Sequence, residues 1–346
     1  SDKKIKLEQI QKATPNDDYL VFDNSDKYLD ALAANDIIIT GSGNDTVDYS
    51  QAIGGLIVNL ADGNAEGTAI SADQGTDKLY GIENIIGSNL VKDEIAGNSS
   101  VNILSGLVGD DTIYGQSGAD TIYGGADNDE LHGGADADSI EGGAGNDIIF
   151  GDAGDDILKG DAGNDTFVFT YTAGSNVFDG TDNIDGGANS DTIDYSAIVD
   201  TKYYGDIDLT AGTSKIIDSL DSNPSTNVKK SDTISLIENV VGTSGNDTIR
   251  GNASQNTMTG GDGRDTILYT FAALTAGVVV NLNADTVEKK IGATTIVDKI
   301  TQIENVVGSD YDDVFITNLT TANIIDGGET DIIGAGTLNG EESLGD

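Results

Sequence analysis

The chain has 346 residues, with 60 Asp plus Glu against 17 Lys plus Arg and a formal net charge of −43. Such a charge repels phosphate backbones and anionic bilayers, which excludes nucleic-acid binding driven by counterion release and disfavours membrane surfaces. The absence of Cys excludes disulfides, thiolate catalysis and Cys-ligated zinc.

The acids are lopsided: 48 are Asp and 12 are Glu, set among 46 Gly. Asp with Gly favours turns, whereas a solvated helical surface favours Glu. With 5% aromatic residues, so charged a chain has the composition of a disordered one unless a cation neutralises its aspartates. No stretch approaches the roughly 18 consecutive apolar residues of a membrane helix, so no transmembrane segment is expected. The start SDKKIKLEQIQKA is too polar for a signal peptide.

Residues 1–39 read as an N-terminal cap. Over 1–13, Ile5, Leu7 and Ile10 among Lys and Gln predict a short amphipathic helix or a polar lid on a first coil. Residues 40–96 form a first long block. It opens with TGSGNDTVD (40–48), carries the alternating strand LIVNL (56–60) and closes on IENIIGS (82–88).

Residues 97–168 are the centre of the chain. Seven consecutive nonapeptides run from Gly106 to Val168, after a weaker unit at 97–105 with Asn102 at its sixth position. Position 1 is always Gly: Gly106, Gly115, Gly124, Gly133, Gly142, Gly151 and Gly160. Position 6 is always Asp: Asp111, Asp120, Asp129, Asp138, Asp147, Asp156 and Asp165. Position 8 is always large and apolar, from Ile113 to Phe167. Position 4 is Gly except at Asp127 and Asp136, and Asp tolerates a left-handed turn.

A second long block, 169–241, runs from a single copy at Gly186 to Asp194 through SDTIDYS (190–196) and DIDL (206–209) to IENVVGT (237–243). Residues 242–268 hold three nonapeptides, the middle one with Asn256 in place of Asp. The third long block, 269–316, runs on from RDTILYT (264–270) through VVVNL (278–282) to IENVVGS (303–309). Block openings and closings are separated by similar lengths: 38 residues from Asp45 to Glu83, 47 from Asp191 to Glu238 and 39 from Asp265 to Glu304. The blocks are expected to widen the coils or decorate them with hairpins, and the three Glu to order corners rather than to catalyse. Residues 317–346 hold a fading repeat, DGGETDII (326–333), and a polar tail.

Gly-rich hexapeptides supply the positive φ of a tight turn, and the next three residues suit a strand with one inward side chain. Two nonapeptides return the chain to its starting side, so coils of 18 residues stack with parallel strands about 4.8 Å apart. Position 6 then forms two ladders, Asp111, Asp129, Asp147, Asp165 and Asp120, Asp138, Asp156. Like charges about 5 Å apart repel by roughly 3 kcal/mol at an effective dielectric of about 20, so a bare ladder cannot close. A hard, oxygen-seeking ion such as calcium removes that obstacle.

The units resemble the RTX, or hemolysin-type, calcium-binding repeat, whose pattern GGxGxDxUx belongs to a parallel β-helix. The resemblance implies an all-β fold, a right-handed parallel β-roll or β-helix solenoid with several calcium ions between stacked Gly/Asp-rich turns. It also implies that position-6 Asp and carbonyls of the glycine-rich turns hold the ions, about five of them in the central run. The metal set is then the seven central Asp and the seven position-1 glycines, with Asp45, Asp191, Asp247, Asp265 and Asp313 at the outlying copies.

No catalytic residue is assigned. The one His, His132, sits at position 9, facing outward with Tyr114, Tyr123 and Phe150. The chain is therefore expected not to be an enzyme, but a secreted or cell-surface structural or adhesive solenoid, a segment of an adhesin, surface-layer protein or fibre. Calcium, further copies of the chain, surface polysaccharide or another surface protein are the expected partners. The alternative is a secretion and folding module of a toxin or hydrolase whose active domain lies elsewhere. The polar tail TLNGEESLGD departs from the apolar finish expected for type I secretion, which points to a fragment of a larger protein or to another export route.

Overall fold

A computed structural model describes residues 10–12, 15–30, 33–63, 65–172, 177–223, 226–316, 325–326 and 332–333. Among them every regular element is a strand, and no helix is long and apolar enough to cross a membrane. The chain divides into two compact units, Ser1–Thr166 with Gly187–Asn189, and Phe167–Gly186 with Ser190–Asp346.

In the first unit successive strands alternate between two sheets. Ile103–Val108, Thr121–Ala126, Ser139–Ala144 and Ile157–Ala162 are parallel neighbours in one, and Glu94–Ala96, Thr112–Ser117, Glu130–Ala135 and Ile148–Ala153 in the other. The register joins residues 18 apart: Ile113 faces Leu131, which faces Ile149, while Leu104, Ile122, Ile140 and Leu158 line the opposite sheet. All of these position-8 side chains are at most 1% exposed. Each full burial is worth roughly 1.5–3 kcal/mol, and the core is a double file of such side chains.

Parallel strands also run through Tyr19–Val21, Tyr28–Asp30 and Ile37–Ile39, so the stack reaches into the segment that the sequence suggests as a cap. Ile10–Lys12 is a strand paired with Tyr28–Asp30 rather than part of a helix, and the rest of 1–13 lies outside the described residues. So does most of the fading repeat at 326–333.

The turn is tighter than the sequence suggests. Central strands span six residues, positions 7 to 9 and 1 to 3, leaving three residues to reverse direction. The strands themselves bend at position 2, where φ is positive, and φ is positive again at position 4 of every central unit but that of Gly154. Position 2 has a positive φ in every central unit: Leu107 (79°), Gln116 (86°), Gly125 (126°), Gly134 (113°), Gly143 (113°), Asp152 (63°) and Asp161 (67°). At position 4, Asp127 and Asp136 adopt the left-handed conformation expected of them, with φ of 79° and 80°.

The long blocks do not hang off the stack; they are built into it. In the first, Leu56–Asn59, Gly67–Ser71 and Gly75–Tyr80 form an antiparallel meander within one sheet. Its last strand pairs in parallel with the preceding Ile37–Ile39 and its first with the following Glu94–Ala96, so spatial order reverses chain order. In the opposite sheet Thr46–Asp48 pairs directly with Asn84–Ile86.

The second unit repeats this arrangement twice. Asn183–Asp185 meets Val228–Ser235, the last strand of the second meander, and Tyr203–Asp208, its first, meets Thr248–Arg250. Thr257–Thr259 meets Thr294–Thr301, and Val279–Asn281 meets Val314–Ile316. These two meanders lie in opposite sheets of the unit.

One buried bond seats each meander. The hydroxyl of Tyr49 donates to Asp77 at 2.8 Å, that of Tyr195 to Asp232 at 2.9 Å and that of Tyr269 to Asp298 at 2.9 Å. Each Tyr lies two residues after the buried position-8 side chain at a block's opening (Val47, Ile193, Ile267), and each Asp in the block's last strand.

Gln116 is exposed and held at positive φ, which costs a non-glycine residue roughly 1–2 kcal/mol. Gln116→Gly is expected to stabilise the calcium-loaded protein by about 0.5–1 kcal/mol, the relief of strain less the extra freedom of an unfolded glycine. Gly134→Ala is expected to do the reverse, because its Cβ would lie 2.1 Å from the Gln116 carbonyl oxygen. Thermal unfolding in saturating calcium checks both, and equal midpoints for the two variants would refute the turn geometry.

Candidate metal centre

The central aspartates sit where strand gives way to turn, and their carboxylates are divided. Each Oδ1 accepts the backbone N–H of the aspartate one coil earlier: Asp129 from Asp111 (2.8 Å), Asp147 from Asp129 (2.9 Å), Asp165 from Asp147 (2.9 Å), Asp138 from Asp120 (2.7 Å) and Asp156 from Asp138 (2.8 Å). The two ladders suggested by the 18-residue period are thus chains of main-chain to side-chain hydrogen bonds.

The second oxygen has no such bond. Oδ2 of Asp111, Asp120, Asp129, Asp138 and Asp147 is buried without a hydrogen-bond partner, as it is in Asp45 and Asp265. An unsatisfied buried polar group costs about 1–3 kcal/mol, and more when charged. Burial accordingly pushes Asp129 up to about 8 and Asp111, Asp120 and Asp265 up to about 7, with Asp138 and Asp147 at about 6.

Position 1 must be glycine because that oxygen lies over it. A Cβ on Gly106 would stand 2.1 Å from Asp111 Oδ2 and 2.9 Å from the carbonyl oxygen of Gly124. On Gly115 it would meet Gly133 O at 2.3 Å and Asp120 Oδ2 at 2.5 Å; on Gly124, Gly133 and Gly142 the Asp oxygen lies 2.4–2.5 Å away. The same oxygen meets Gly151 at 2.5 Å from Asp156, and the Gly160 carbonyl lies 3.1 Å from a Cβ on Gly142.

Carboxylate and carbonyl oxygens therefore share one glycine edge. The donor set is all oxygen, as hard divalent cations such as calcium require. Among the described residues no group of three or more His, Cys, Asp or Glu side chains is free to hold a metal by itself, so the fit rests on these carbonyls beside the carboxylates. A calcium ion bound there supplies the positive charge that the buried Oδ2 atoms lack.

Not every ladder aspartate is left wanting. Asp247 accepts from Thr243 through both N–H (2.7 Å) and hydroxyl (2.8 Å), and Asp313 from Ser309 in the same two ways, both at 2.7 Å. Asp93, which sequence reading passed over, is held likewise by Ser88. Asp247 and Asp313 thus differ from the central set with which sequence grouped them. The signal was present: each of the motifs IENIIGS, IENVVGT and IENVVGS ends in a hydroxyl residue placed before the next ladder Asp.

The recurrent glutamates close the ladders. Glu83, Glu238 and Glu304 accept the N–H of Asp45, Asp191 and Asp265 at 3.0, 3.1 and 2.9 Å, replacing the aspartate of a next coil. His132 stacks between Tyr114 and Phe150 with centroids 4.8 and 4.2 Å away, and its nitrogens lie 3.3 and 3.4 Å from Glu130 and Asp152. Tyr123 stands on the other sheet, 42% exposed.

Two outcomes follow. Because burial raises the central aspartates to about 6 to 8 in the fold, against about 3.9 in an unfolded chain, the cation-free fold binds more protons than the unfolded state. Its stability is greatest below about pH 4 and lost as pH rises through about 6 to 8. In excess chelator, lowering the pH from 7.5 to 5 is expected to increase β-type circular dichroism; no gain would count against the buried ladder. Asp129→Asn keeps an acceptor for Asp111 but removes the charge, so it is expected to raise the calcium midpoint of folding severalfold, whereas Asp313→Asn is not. Equal shifts would erase the distinction between the two sets.

The profile of the RTX calcium-binding nonapeptide repeat matches four stretches, residues 28–51, 96–131, 132–167 and 235–267. No curated protein matches the chain. Among solved structures, the extracellular lipase LipA from Serratia marcescens aligns over 65% of this chain and 37% of its own, at 16% identity and a TM-score of 0.22. The chain thus spans well under two thirds of that lipase's length. The buried ladder and the matched stretches coincide: this chain carries RTX calcium-binding nonapeptide repeats.

Proposed function

We propose that the protein is an extracellular structural or adhesive solenoid, folded by calcium, and that it is not itself an enzyme. The carrying observation is the file of buried, unpartnered carboxylate oxygens, which makes order conditional on a cation. Millimolar calcium outside cells meets the weak affinities typical of extracellular modules, roughly 10⁻⁴ to 10⁻³ M. His132 supports the non-catalytic reading, since both ring faces are covered by aromatic neighbours.

What remains outward is a set of strand faces flanked by turns that carry exposed acid, among them Asp110, Asp127, Asp136 and Asp155. Contacts between copies bring like charges together at −43 per chain, and each bound calcium lowers that by two. Assembly or surface attachment is therefore expected to need more calcium than folding does. A calcium titration followed by circular dichroism together with light scattering or cell binding checks this. A folded protein that stays monomeric and non-adherent throughout would favour a folding and secretion module of a larger enzyme instead.

A further inference from the structure

Lys230 and Lys289 are the most deeply buried cations of the second unit, each with a side chain 0% exposed. Both stand at steps of the position-6 ladder. Asp182 donates its N–H to Asp232 Oδ1 at 2.9 Å, as Asp111 does to Asp129, so Asp182 Oδ2 corresponds to the oxygen left over in the central coils. Here it is not left over. Lys230 Nζ lies 2.5 Å from it, 2.9 Å from Asp179 Oδ1, 3.0 Å from Asp232 Oδ1 and 3.3 Å from the Gly180 carbonyl, with the Phe169 ring 4.2 Å away.

The third block does the same with other residues. Asn256 donates its N–H to Asp298 Oδ1 at 2.8 Å, and Lys289 Nζ lies 3.0 Å from Asn256 Oδ1, 2.8 Å from Asp298 Oδ2 and 2.8 Å from the Asn252 carbonyl. In both places an ammonium sits among carboxylate, amide and main-chain oxygens at a ladder step.

The first block supplies the contrast. Its corresponding ladder residue is Asp36, whose N–H donates to Asp77 at 2.9 Å and whose Oδ2 is buried without a partner. Two residues before Asp77 stands Gly75, where Lys230 stands before Asp232. By strand register Ser71 occupies the place of Lys289, since it faces Gly75 as Lys289 faces Ile296.

We propose that Lys230 and Lys289 are built-in counter-ions that take the place of a bound divalent cation, so that the second and third blocks fold without calcium while the first block and the central coils require it. Breaking a buried pair by removing one partner is strongly destabilising, because the other charge remains. Burial pulls Lys230 down, yet Asp232, Asp179 and Asp182 hold its ammonium above the usual lysine range; Lys289, with Asp298 as its one carboxylate partner, is held below that range by burial. The proposal rests on the reading of the central ladder as a calcium site.

Hydrogen exchange of the full chain, in millimolar calcium and in excess chelator, tests it. In chelator the amides of Val228–Ser235 and Thr294–Thr301 are expected to exchange at least tenfold more slowly than those of Thr112–Ser117, Glu130–Ala135 and Ile37–Ile39. Loss of protection in all five segments at one calcium midpoint overturns the proposal. Central coils indifferent to calcium would instead overturn the calcium reading beneath it. In Lys230→Met, protection of Val228–Ser235 is expected to vanish in chelator and return with calcium, with one more ion bound per chain by native mass spectrometry. Unchanged protection in chelator overturns the proposal. If that variant fails to fold even in calcium, adding Asp179→Asn and Asp182→Asn is expected to restore the fold in chelator, and failure to do so likewise overturns it.

Discussion

A buried carboxylate that spends one oxygen on its neighbour and leaves the other over is what the rest of this structure depends on. The bonded oxygen sets the 18-residue register, because it can reach only the N–H one coil back. The leftover oxygen sets the glycine at position 1, since nothing larger fits beneath it. It also sets the demand for positive charge, which the chain meets in different ways along its length. At Gln116 and Gly134, where position 2 turns to positive φ, the leftover oxygens of Asp120 and Asp138 stay unpartnered. Where that position is Ser88, Thr243 or Ser309, its N–H and hydroxyl satisfy the carboxylate instead.

Much of this was legible in residue order. Position 8 announced the core, and the spacing of Asp111, Asp129 and Asp147 announced the ladder, because strict periodicity turns spacing into stacking. What could not be read were properties of backbone direction. Leu107 and Gln116 give no sign of the positive φ they adopt, since only their place in the coil imposes it. The run LIVNL reveals a strand but not that its partner is the coil after the block rather than the coil before. Lys230 and Lys289 looked like two more of 17 scattered basic residues, and only pairing across 48 residues, from Lys230 to Asp182, shows one as an interior charge.

The meanders solve a different problem from the coils. A coil closes its hydrogen bonds only through neighbours 18 residues away, whereas Gly67–Ser71 and Gly75–Tyr80 pair across a short turn. Their anchors, Tyr49 to Asp77, Tyr195 to Asp232 and Tyr269 to Asp298, join a neutral hydroxyl to a carboxylate and draw on no external ion. Local pairing and neutral anchors, with Lys230 and Lys289 supplying the interior positive charge, make the second and third blocks places where order can start, from which the coils can then be templated.

The insertion of three strands into one sheet, against none in the other, carries an arithmetic of its own. A regular coil contributes one strand to each sheet, so every meander leaves its sheet two strands ahead, roughly 10 Å at a spacing of about 4.8 Å. In the second unit four single strands separate the two meanders: Asn239–Val241, Thr248–Arg250, Thr257–Thr259 and Thr266–Leu268. Since strands alternate sides, an even number sends the next meander to the opposite sheet, where the excesses cancel. An odd number would send it to the same sheet, where they add to about 20 Å. Loss or gain of one nonapeptide, harmless to each coil taken alone, would thus convert a balanced pair of sheets into a lopsided one, while loss or gain of two would pass unnoticed. The evolutionary step open to such a chain is therefore 18 residues, not the nine in which its sequence is written.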